Sequence, residues 1–152
     1  MDPLEAVKTH KDTSYFLMLA ACERGHQVYY LDASDLYVKD SAVIATAQRV
    51  NVQDDPQIPF ESESAESVSM AEMDVVWIRT DPPVDRAYFY MTMLLDLLPA
   101  SVKVINRPST IRDWNEKLAA LQYPQFIPAT MVARHSTQIS DFVHRNGSTT
   151  LK

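Results

Sequence analysis

The sequence predicts an α/β domain with a mostly parallel sheet, and three observations carry that reading. A helix feeds a short strand through a Gly-His connection at residues 12–31. A run of four apolar residues, Val75 to Ile78, is followed by two prolines and then by an apolar helix. Strands and helices then keep alternating along the chain.

Asp12, Thr13 and Ser14 supply acceptors for the orphan N–H groups at a helix start. Phe16, Leu19, Ala20 and Glu23 mark the expected helical face. Gly25 suits the left-handed residue after the last turn, and "QVYYL" follows as a strand. Residues 42–50, "AVIATAQRV", alternate weakly and read as a strand or hairpin arm. Residues 54–72 read as a loop, and seven carboxylates with no Lys or Arg between Asp54 and Asp74 mark a solvated run.

The strand 74–79 is apolar enough for burial on both faces of a sheet. A helix over 86–98 stops at Pro99, a strand covers 102–106, and a Ser/Thr-capped helix covers 109–121. Prolines in 124–128 mark a boundary between domains 1–123 and 124–152. Beyond it the pattern gives strands at 130–133 and 149–152 around a helix at 136–147. Both ends look cut, with a loop and a helix first and an unfinished strand last.

Composition narrows the function classes. With 152 residues, 46% apolar and 22% charged, the chain holds one ordinary domain or one domain and the start of another. The net charge of −6 and the lack of a basic stripe argue against nucleic acid. No apolar run or leader pattern suggests a membrane. One cysteine, Cys22, fits a reducing cytoplasm. Only two glycines occur, so there is no glycine-rich phosphate loop. The four histidines show no metal-ligand spacing, Cys22 lacks polarising neighbours, and no Ser/His/Asp set stands out; no catalytic or metal residue is assigned in this chain.

Ligands of open parallel sheets collect at the carboxyl ends of strands. "RTDPP" falls at such an end. Arg79 there suits a carboxylate in a two-pronged geometry, and Asp81 suits an amine or orients Arg79. The plain alternative is a surface salt bridge beside a stiff turn. Lys8, Lys11, Asp12, Thr13 and Ser14 form a second candidate at a helix N-terminus, or else a capping group with solvated lysines. "INRP" repeats the first design, with Asn106 and Arg107 at a strand end. Lys117 by itself reads as a surface lysine.

Segments spread over nearly the whole chain resemble prokaryotic glutathione synthetase. They are "MDPLEAVKTHKDTSYFLMLAACERGHQVYY", "DLYVKD", "NVQDDP", "MDVVWIRTDPPVDRAYFYMT", "VINRPSTIRDWNEKL" and "FIPATMVAR", in the family's order. The resemblance implies a Rossmann-like pre-ATP-grasp domain followed by the beginning of an ATP-grasp domain. It further implies ATP-dependent joining of γ-glutamylcysteine to glycine, with ATP and Mg²⁺ required and a homo-oligomer in the full-length protein. ATP would meet Lys117 and Lys152; the peptide would meet Asp2, Lys11, Asp12, Ser14, Arg79, Asp81 and Asn106.

Magnesium ligands are expected beyond Lys152, so the fragment alone is expected to be inactive. Thr80 and His10 stand where the family commonly has lysine. Two other readings remain open: a stand-alone, non-catalytic binding or regulatory module, and a carboxylate–amine ligase with another substrate.

Overall fold

A computed structural model describes residues 1, 3–81 and 83–151, with the Glu116 side chain left aside. The chain divides into two compact units, Met1–Asp113 and Trp114–Lys152.

In the first unit, helix α1 (Thr13–Glu23) starts where Asp12 Oδ1 accepts the Ser14 N–H at 2.7 Å. It ends in a Schellman motif. Gly25 takes φ +78°, its N–H donates to Cys22 O, and the His26 N–H reaches back to Ala21 O. The inward face is Tyr15, Met18, Leu19 and Cys22. Phe16, expected inside, is 49% exposed, and Glu23 is also on the outside. The segment is apolar almost all round, so no single stripe announced the buried face.

Strand β1 (Val28–Tyr30) follows. The turn Ala33–Asp35 then carries a capping box, in which two hydrogen bonds from Ser34 hold the Asp32 carboxyl below its usual range. Strand β2 (Leu36–Lys39) folds back on β3 (Ala42–Val52) through a two-residue loop. Asp40 and Ser41 both have positive φ, 50° and 64°, as a type I′ hairpin turn requires. A side chain at Ser41 works against that backbone. Ser41→Gly is therefore expected to stabilise the first unit by about 0.5–1 kcal/mol, read as a raised thermal midpoint.

The sheet corrects the mostly parallel, Rossmann-like expectation. Among the described residues β3 is the hub of a five-stranded sheet, and the other four strands all pair with it antiparallel: β1, β2, β4 (Phe60–Ser62) and β5 (Glu66–Ser69). Burial along β3 alternates, as a strand with one covered face should, but slips by one residue between Ala47 and Val50. The pairing slips at the same place, from Ala47↔Glu66 to Val50↔Ser62.

One strand thereby serves two cores. Val43 and Ala45 pack with Leu36, Met70, Ile78, Met91 and Leu95, whereas Val50 and Val52 pack with Leu4 and Tyr15. The acidic stretch is solvated, as its composition implied, yet it carries β4 and β5 rather than being loop throughout.

Parallel pairing is confined, among the described residues, to β6 (Val75–Trp77) with β7 (Lys103–Ile105). The expectation that 74–79 is covered on both faces also fails. Val75 is 51% and Trp77 46% exposed, and of this run only Ile78 is buried. A strand with one neighbour in a two-stranded pair has little to cover its faces. Between these strands, α2 (Arg86–Leu95) starts at Asp85, which accepts the Tyr88 N–H, and it buries Met91, Thr92 and Leu95. Arg112 of α3 (Pro108–Asp113) forms an ion pair with Asp96 just past α2.

In the second unit the helix expected over 109–121 does not continue from α3. It is interrupted at Trp114-Asn115 and resumes as α4 (Glu116–Ala119), because Asn115 is a cap, accepting the Lys117 and Leu118 N–H groups. Helix α5 (Ser136–Asn146) matches the expected helix and ends at Gly147 with φ +71°. No strand forms at 130–133 or at 149–151; Lys152 lies outside the described residues. A β-strand is defined by its partner, and the described residues offer these segments none. No helix among the described residues is long and apolar enough to cross a membrane.

Candidate functional site

A cleft of about 330 Å³ opens in the first unit where the start of α1 meets the segment leaving β6. One wall is the chain around the turn Leu4–Ala6 together with the helix start, giving Val7, Lys8, Lys11, Asp12 and Ser14. The other wall gives Arg79 and Asp81. The two candidate groups seen separately in the sequence thus form one site.

The link between them is specific. Arg79 Nε donates to Ser14 Oγ at 3.1 Å, across 65 residues of sequence. Ser14 is buried, and its backbone N–H is held by Asp12. The helix cap that starts α1 also fixes the hydroxyl that receives Arg79. The arginine residue itself stays exposed, so its charge faces solvent and any incoming group. Lys8 and Lys11 add positive charge on the opposite wall. The arrangement suits a small, carboxylate-bearing molecule, because a guanidinium held at one edge offers a preset fork of donors.

Other expected site residues fall elsewhere. Asn106 is exposed just after β7 and does not line this cleft. Lys117 lies on α4 in the second unit, with an exposed side chain. Asp2 and Lys152 lie outside the described residues.

Sequence reasoning missed Met1, Ala6 and Val7 as walls. Their signal is the short turn Leu4–Ala6, pinned by buried Leu4, which sets the approach of the chain to α1. Among the described residues no group of three His, Cys, Asp or Glu side chains is placed to hold a metal ion.

The sequence model of the family described as "Prokaryotic glutathione synthetase, N-terminal domain" matches residues 1–112. A glutathione synthetase of Vibrio cholerae is 33% identical over 153 aligned residues, covering 100% of this chain and 48% of that protein. One of Gloeobacter violaceus is 38% identical over 158, covering 100% and 49%. One of Pseudomonas syringae is 37% identical over 153, covering 100% and 48%. The chain spans about half the length of these curated relatives.

Proposed function

The chain belongs to the prokaryotic glutathione synthetase N-terminal domain family, and from that premise we propose that the protein carrying it makes glutathione. The reaction is the ATP-dependent ligation of γ-glutamylcysteine to glycine. The terminal phosphoryl group of ATP passes to the cysteinyl carboxylate and ADP leaves. The glycine amine then forms the new C–N bond as phosphate departs.

The observation that carries the reading is the cleft in which Arg79, fixed by Ser14, faces Lys8 and Lys11. Such a site holds the charged end of the peptide and leaves the reacting end to other groups. Its contribution is positioning, which lowers the barrier by removing translational and rotational freedom before the chemistry begins.

Residues 1–123 form the substrate-side domain in this proposal, and residues 124–152 begin the ATP-grasp region. Lys117 and Lys152 are the proposed contacts for ATP, each a point charge suited to a phosphate. Asp2 and Asn106 remain proposed peptide contacts. Mg²⁺ belongs to the proposed reaction. The protein is proposed to work in the cytoplasm as a homo-oligomer.

The test is to incubate the purified gene product with γ-glutamylcysteine, glycine and ATP. One glutathione, one ADP and one phosphate per turnover are expected. Folded protein that hydrolyses ATP without forming glutathione, or ligates a different amine instead, would contradict the assignment.

A further inference from the structure

Helix α2 has two apolar faces, and the fold covers only one of them. Met91 and Leu95 are buried in the cluster that joins it to β2 and β3. On the other side Phe89 and Met93 stand one turn apart, with Tyr90 beside them. Leu97 carries the line one turn further, because its N–H donates to Leu94 O at 3.1 Å and keeps the chain near the helical path. At 3.6 residues per turn these four side chains fall within a stripe about 100° wide.

Phe89 is 39% exposed, Met93 48%, and Tyr90 and Leu97 each 61%. None of the four joins either core cluster. At about 200 Å² for each full side chain, the stripe shows on the order of 400 Å² of apolar surface. Contiguous patches of this size mark places where another molecule docks. The composition is that of an interface core, with aromatic, methionine and leucine side chains, an arginine at the edge, and no lysine or glutamate in residues 86–97.

The two ends of the stripe select the occupant. Arg86 is exposed at the amino end of α2, and Asp96 is exposed just past its carboxyl end. A two-fold axis near Met93 turns a second copy end for end. Each Arg86 then meets the carboxyl end of the facing helix and its Asp96, where a cation is favoured. Asp96 already pairs with Arg112 of its own chain, and a carboxylate can accept from two arginines. A stripe with like charges at both ends would repel its own copy in this arrangement.

From this we infer that the outer face of α2 is a two-fold dimer contact, occupied by the same face of a second copy of this chain, with Met93 against Met93 at its centre. The inference deepens the homo-oligomer proposed above by naming its surface, and it does not depend on the ligase reading. On the order of 400 Å² from each protomer is about half of what a standard interface takes from each partner. The remainder is the polar rim that surrounds such a core.

The test is sedimentation of the purified gene product at micromolar concentration. A mass of two protomers, or an even multiple, is expected. Met93→Glu sets two carboxylates face to face at the axis and is expected to halve that mass, through a rise of at least about a hundredfold in the dissociation constant of this contact. Its circular dichroism should be unchanged, because Met93 belongs to neither core. Met93→Cys should form a covalent dimer under mild oxidation, since helices packed about 8–10 Å apart bring facing Cα atoms within disulfide reach. The original protein, with Cys22, and Glu61→Cys, exposed on β4, should not.

A monomeric original protein overturns the inference. That holds whether the Met93→Cys thiol reacts freely with a thiol reagent, as a face open to another partner would, or slowly, as a face covered by further chain would. An oligomer that Met93→Glu leaves at full mass, or in which Met93→Cys fails to cross-link, also overturns it. Glutathione formation by a monomeric protein removes this inference and keeps the ligase reading. A dimer through α2 that forms no glutathione does the reverse.

Discussion

Arg79→Ala is expected to weaken γ-glutamylcysteine binding by about 1–3 kcal/mol, roughly a fivefold to hundredfold rise in the dissociation constant. The side chain reaches the cleft from the segment after β6 and is held by Ser14. Removing it deletes the one guanidinium among the residues that line the cleft and leaves Ser14 Oγ without that donor. The effect should appear in binding and not in the fold, because Arg79 is exposed and contributes to neither core cluster. Arg79→Lys is expected to recover little, since an ammonium keeps the charge but not the fork. Equal affinities for the original protein and the alanine variant, both folded, would remove Arg79 from the site.

The largest effect on stability is expected at Met70, which is 2% exposed and ranks with Thr92 as the largest fully buried side chains among the described residues. Met70 begins the short turn after β5 and packs in the cluster that joins β2, β3, β6 and α2. Met70→Ala removes contacts to several elements together and leaves a cavity that the sheet cannot readily collapse. A loss of about 2–5 kcal/mol is expected, seen as a fall of roughly 8 °C or more in the thermal midpoint of the first unit. Met70→Leu, which keeps most of the volume, should cost less than about 1.5 kcal/mol. Similar midpoints for the alanine and leucine variants would show that this core does not depend on filling that site.

These two residues show what the sequence made legible and what it hid. Arg79 stood out because a charged residue after four apolar ones marks a strand end. Met70 did not, because it lies in a stretch dominated by serine and glutamate. The strands β4 and β5 were hidden for the same reason. They are held to β3 by backbone pairing, which leaves little trace in side-chain type at an exposed edge. Once those strands are placed, the larger sheet is antiparallel, and the alternation of helices and strands that suggested parallel pairing describes only β6, α2 and β7.

Helices were easier, because their ends are written in local chemistry. Asp12 and Gly25 bound α1, Asp85 starts α2, and Gly147 closes α5. The same local chemistry divided α3 from α4 at Asn115, although the apolar spacing runs through it. Strands depend on partners far along the chain, and those expected at 130–133 and 149–152 had no local signal to secure them.

The cleft was half legible. Both groups of polar residues could be read from spacing, and each also had an ordinary explanation as a cap or a surface ion pair. Their meeting could not be read, since Ser14 and Arg79 are 65 residues apart and are brought together by tertiary packing. That meeting turns a helix cap into part of a binding site.

A crystal structure of the protein with γ-glutamylcysteine shows whether this cleft holds that peptide. The γ-glutamyl end is expected between the start of α1 and Asp81, with its carboxylate on the terminal nitrogens of Arg79 and the Arg79–Ser14 hydrogen bond intact. Peptide bound elsewhere, or bound here without touching Arg79, would contradict it.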